Sequence, residues 1–224
     1  MNEFYVGYLP VPPGLKRFGR RIVAALGMAA AGIAIVLVFE QSPFAPASFE
    51  YREYRDFQGV LVIKPYPALI VPGGTPWLLA GPGKHGFTAP SALDGRVVRL
   101  RGERIVNGPD RMLEVVGGAM ADAGPGQIPA EIDLGRAELT GEMVDSKCYF
   151  GVMNPGRGKV HRDCAARCLS GGIPPALLVR DAAGNTATVL IANFRRELLQ
   201  HVAEPVTLRG RLARSAERLI LYLE

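Results

Sequence analysis

The sequence predicts a mainly β chain in which one N-terminal transmembrane helix precedes two small β-barrel modules. Three observations predict it. Residues 22–39 are uncharged and almost wholly apolar. Short β-rich words, separated by Gly and Pro turns, follow from residue 60 onward. Several of those words recur later in the chain at one fixed offset.

At 1.5 Å per residue, the apolar run makes about 27 Å of helix, near the thickness of a bilayer core. Lys16, Arg17, Arg20 and Arg21 precede it and Glu40 closes it. The positive-inside rule then puts residues 1–21 in the cytoplasm as a basic leader and the rest outside, in the periplasm of a bacterium. A cleaved signal peptide is the competing reading, since Ala45-Pro46-Ala47 resembles an A-x-A site. The apolar run exceeds the usual signal core, which favours a retained inner-membrane anchor. Arg20-Arg21 lacks the flanking residues of a twin-arginine signal and reads as positive-inside charge. Phe4, Tyr5 and Tyr8 read as an interfacial belt or a contact to a neighbouring membrane subunit.

Residues 40–56 turn to Pro, Ser and alternating charge, the composition of a tether. The first module is expected over residues 57–117, with strand words at Val60, Ala68, Trp77, Val97 and Met112. Residues 118–136 read as a linker, and residues 137–224 as the second module.

The repeat joins the two modules. Pro67-Ala68-Leu69-Ile70-Val71 returns as Pro175-Ala176-Leu177-Leu178-Val179, Val98-x-Leu100-Arg101-Gly102 as Val206-x-Leu208-Arg209-Gly210, and Met112-Leu113-Glu114-Val115 as Ile220-Leu221-Tyr222-Leu223. All three share an offset of 108, whereas Phe57-Gln58-Gly59 pairs with Leu139-Thr140-Gly141 at 82. The difference is a 26-residue insertion in the second copy. Residues 194–202 have helical spacing, with Asn193 as the expected N-cap. Five strands with a helix between the third and fourth resemble the OB-fold, so two OB-like modules are expected.

The insertion falls within the Cys-rich segment 145–174, which holds all three cysteines and one of three histidines. His161, Cys164 and Cys168 are spaced i, i+3, i+7, which puts them on one helical face. Asn154-Pro155-Gly156-Arg157-Gly158 is turn chemistry that lets Cys148 fold back over that face. Cys148, His161, Cys164 and Cys168 are therefore the candidate metal ligands. Thiolates with one imidazole suit Zn, Cu or an iron-sulfur centre. Asp145 is expected either to orient a ligand or to cap a turn.

Two other readings remain open. Outside the cytoplasm cysteines default to disulfides, and Cys148 paired with Cys164 or Cys168 would staple a binding or assembly module and leave one thiol over. A thiol enzyme would need Cys164 or Cys168 activated by His161 or by a helix terminus. Covalent haem attachment and thioredoxin chemistry are excluded by spacing, because C-x-x-C is absent. Gly81-Pro82-Gly83-Lys84-His85 lacks the spacing of a phosphate loop and reads as a surface turn.

Of the +5 formal charge, +3 lies in the first 21 residues. The remaining +2 is too little for a nucleic-acid groove. No acid, base or nucleophile constellation stands outside the insert, so an accessory protein is expected in preference to an enzyme. With an anchor and a thiolate-rich insert, its expected partner is a membrane redox complex.

Gly141, Val144, Asp145, Cys148, His161, Cys164 and Cys168 form a G-x-x-V-D-x-x-C and H-x2-C-x3-C pattern. This segment resembles one found in uncharacterised bacterial membrane-anchored or exported proteins. The resemblance implies that the insert is a single functional unit and carries no activity with it.

Overall fold

A computed structural model describes residues 7, 10–41, 47–117 and 120–224. Helix α1, Pro13–Glu40, begins on a proline and runs for 28 residues with no buried position. It is long and apolar enough to cross a membrane. Phe4, Tyr5, Tyr8, Ala45 and Pro46 lie outside the described residues.

Residues 45–224 form one compact unit containing both sheets. The first sheet comprises β1 (Ala47–Phe49), β2 (Arg55–Val62), β3 (Ala68–Ile70), β4 (Pro76–Ala80), β5 (Arg96–Asn107), β6 (Asp110–Val115) and β7 (Ala121–Pro125). The second comprises β8 (Glu131–Asp145), β9 (Pro175–Arg180), β10 (Thr186–Ala192), β11 (Pro205–Ser215) and β12 (Arg218–Leu223), and closes into a five-stranded barrel. Around that barrel, β8 pairs β9, β9 pairs β10, β10 runs parallel to β12, β12 pairs β11 and β11 returns to β8. In the first sheet β2, β3, β4, β6 and β5 make the same five pairings in the same senses, the parallel one being β4 with β6.

The registers correspond too. At Gly59 a Cβ would lie 2.4 Å from the Ile70 carbonyl oxygen, and at Gly141 2.5 Å from that of Leu178. Only glycine lets the neighbouring strand cross that closely.

Strand alternation feeds three apolar clusters. Leu61, Leu69, Leu79, Leu100 and Leu113 fill the interior of the first ring, and Met143, Leu177, Ile191, Leu208 and Leu221 that of the second. The opposite faces meet. Ala68, Leu78, Ala80 and Met112 pack in one cluster with Ala176, Leu190, Ala192 and Ile220. Thus β9 is buried on both faces over most of its length, which explains its uninterrupted Pro-Ala-Leu-Leu. Cys148, Phe150, Cys168 and Ile173 of the insert belong to this shared cluster.

Three expectations are corrected. Within the stretch read as a tether, β1 pairs the far end of the 12-residue β5. Within the stretch read as a linker, β7 pairs the near end of β5 and β8 already begins. The long β5 leaves backbone groups beyond its barrel partners, and these short strands satisfy them. Finally, residues 194–202 do not form an α-helix capped by Asn193. A six-residue 3-10 segment, Arg196–His201, forms there, and Asn193 has a left-handed backbone (φ 57°). So short a stretch, turning at once into β11, closes tighter i to i+3 bonds.

Candidate metal centre

The insert leaves the end of β8 at Asp145. One carboxylate oxygen accepts the Cys148 backbone N–H at 2.8 Å, and the other lies 3.1 Å from His161 Nε2. Asp145 thus starts the turn that carries Cys148 and also holds the imidazole. Both acid and imidazole are buried. From Cys148 to Val152 the chain makes a single π-type turn, and after the Asn154–Gly158 reversal a 3-10 turn, Lys159–His161, leads into α2, Arg162–Ser170. His161 sits just ahead of α2, with Cys164 and Cys168 one turn apart on it.

The three cysteines are free, and their sulfurs lie within 4.8 Å of one another. Cys148 is 3.9 Å from Cys164 and 3.9 Å from Cys168. Asp145, Cys148 and His161 form a second group by the same distance. Cys148 is shared, while His161 belongs only with Asp145 and Cys148. These five residues lie close enough to hold a metal ion.

Two lysines that the sequence did not assign to the site, one of them in the turn read as a surface feature, complete the surroundings. Lys84 Nζ donates to Cys164 Sγ at 2.8 Å and lies 3.8 Å from Cys168 Sγ. It comes from the turn after β4, in the first ring. Lys147 Nζ is buried, donates to the carbonyls of Gly81 and Gly83 at 2.8 and 2.6 Å, and pairs Glu114 Oε2 of β6 at 2.5 Å. The turn is also pressed on α2: Gly86 N–H donates to Gly171 O at 2.9 Å. A Cβ on Gly171 would lie 1.9 Å from Lys84 O, and one on Gly86 2.2 Å from Gly172 O.

The electrostatics follow from these contacts. Accepting a hydrogen bond from Cys148 holds the Cys168 thiol below its ordinary value, with Lys84 adding to that effect. Donating to Cys168, and then burial, pushes the Cys148 thiol up. The Cys164 sulfur raises the Lys84 ammonium, which therefore stays charged. One thiolate is best stabilised at Cys168, with the cation beside it.

The structure brings Cys148, Cys164 and Cys168 together and sets His161 beside Cys148, on the Asp145 side. Asp145 caps the turn at Cys148, as the sequence suggested it could, and also holds His161. Lys84 and Lys147 were not legible, because an isolated lysine in a Gly-rich turn or before a cysteine has no pattern that marks it as buried or paired. Comparisons of the chain with protein-family models, with curated proteins and with solved structures find no match.

Proposed function

We propose that this chain is an accessory protein anchored in a bacterial inner membrane by α1, whose periplasmic part binds a soft metal or redox cofactor and serves a membrane redox complex. Both β-modules are OB-like barrels descended from one repeat, supported by their matching strand pairings and by the equivalent glycine crossings at Gly59 and Gly141. The second copy alone carries the ligand-bearing insert.

One observation carries the metal reading: three free thiols converge within 4.8 Å at the junction of the two modules. Thiolates at that spacing suit Zn(II), Cu(I) or an iron-sulfur centre. Cys148, Cys164 and Cys168 would hold the metal, with His161, held by Asp145, beside Cys148. A bound soft metal would supply electron transfer or a transferable ion. The protein's own part is to bury two of the sulfurs, hold the Cys168 thiol below its ordinary value and orient His161 through Asp145.

The test is elemental analysis of the full-length chain in detergent, purified without chelators, beside its Cys164→Ser and His161→Ala variants. About one metal per chain is expected in the parent. Cys164→Ser should abolish retention, and His161→Ala, which removes a neighbour of Cys148 and not a sulfur donor, should only weaken it. A parent free of metal under both reducing and oxidising preparation would sink the reading.

The disulfide alternative has its own support, since Cys148 lies equally near two partners at 3.9 Å. Intact-mass measurement without reductant separates them: a stoichiometric bridge from Cys148 removes two ligands at once.

A further inference from the structure

We propose that Lys84, supplied by the first barrel, sets which metal the thiol site takes, shifting it away from four-coordinate dications such as zinc and toward three-coordinate copper(I). The proposal rests on the metal-binding reading above and deepens it.

Three thiolates give a metal three donors, and zinc sites are almost always completed by a fourth. Among the described residues no histidine or carboxylate lies within 4.8 Å of all three sulfurs, because His161 is held on Asp145 and shares only Cys148 with the thiol group. The side chain that does touch the open, Cys164 side is Lys84. An ammonium has three donors and no lone pair, so it binds sulfur and not metal. It therefore occupies space around Cys164 without completing a coordination shell. It also repels an incoming cation in proportion to charge, twice as strongly for a dication as for a monocation at the same place. Copper(I), singly charged, selected by soft sulfur donors and satisfied by three ligands, loses least.

Lys84 is not a wandering surface side chain. Its turn is fixed from one side by the Lys147 ammonium on the Gly81 and Gly83 carbonyls, with Glu114 behind it. From the other side it is fixed by the Gly86 to Gly171 hydrogen bond and by two contacts that leave no room for a Cβ. The backbone of the turn thus delivers one cation to one sulfur pair, a device with no stabilising purpose at an exposed position.

The experiment titrates the full-length chain in detergent, anaerobically and reduced, with copper(I) and with zinc(II) against competing chelators. The same titrations are run on Lys84→Met, Lys84→Gln and Lys84→Arg, and X-ray absorption is recorded on the loaded parent. In the two neutral variants the zinc affinity should rise relative to copper(I) at least tenfold, which is about 1.4 kcal/mol. Lys84→Arg should hold the parental ratio, and the copper in the parent should show three sulfur scatterers and no nitrogen. An unchanged ratio in both neutral variants overturns the role of Lys84 while leaving the metal site standing, as does a nitrogen ligand on copper. A parent that binds neither ion overturns the metal reading and this one with it.

Discussion

Asp145 shows how much a single buried carboxylate can organise. It is fully buried, and its two oxygens are divided between a backbone amide and an imidazole, so it ties the turn at Cys148 to His161. Asp145→Ala would leave both of those partners buried and unpaired, each at a cost of about 1–3 kcal/mol. The expected outcome is a loss of about 2 kcal/mol or more in chemical denaturation. Asp145→Asn should lose much less, because the amide oxygen still accepts from Cys148 and the rest of the side chain keeps its place against the imidazole. A loss within about 0.5 kcal/mol for Asp145→Ala would mean that the turn and His161 stand in place without Asp145. The double duty was half legible: a carboxylate three residues before a cysteine is a turn signal. Its second partner lies 16 positions on, beyond a chain reversal, and only the folded insert supplies it.

The turn after β4 and the end of α2 are the two elements whose contact makes the site. Both approach backbone to backbone, and glycine stands at each point of contact. Gly86→Ala would drive a methyl against the Gly172 carbonyl, which cannot swing away as a side chain would. Overpacking of this kind costs about 1–3 kcal/mol. Thermal denaturation of Gly86→Ala should show a loss in that range, and a change within 0.5 kcal/mol, the scale of an ordinary surface substitution, would contradict the close approach.

The same two elements mark where sequence reasoning stopped. The strands were readable because β3 and β9 repeat a word in which Ala68 and Ala176 face the shared cluster and Leu69 and Leu177 face the interiors. The convergence of the three cysteines was readable because helical spacing and one turn are local facts. Lys84 was not readable. Its turn is exposed, as a surface turn should be, and its partner Cys164 is reached only through packing between the modules.

At the scale of the molecule, the two β-modules share one apolar seam, and the insert fills part of it. Beside that seam lies a buried charge pair, Lys147 of the second module with Glu114 of the first, and Arg218 with Asp110 makes another between the same modules. A pair of this kind repays its desolvation only when both members are present and their remaining hydrogen-bonding groups are satisfied. Here the Lys147 ammonium also serves two carbonyls of the turn that carries Lys84. Lys147→Met keeps the length and apolar stem of the side chain but strands the Glu114 carboxylate. The expected loss is about 3–5 kcal/mol. Adding Glu114→Gln to that variant removes the stranded charge and should recover a large part of the loss, whereas Glu114→Gln alone in the parent should be costly. This non-additivity, read by denaturant titration of the four proteins, is the signature of a coupled buried pair. Additive losses would mean that Lys147 acts only through the turn carbonyls. In that case the charge pair would have no share in holding Lys84 on the thiols.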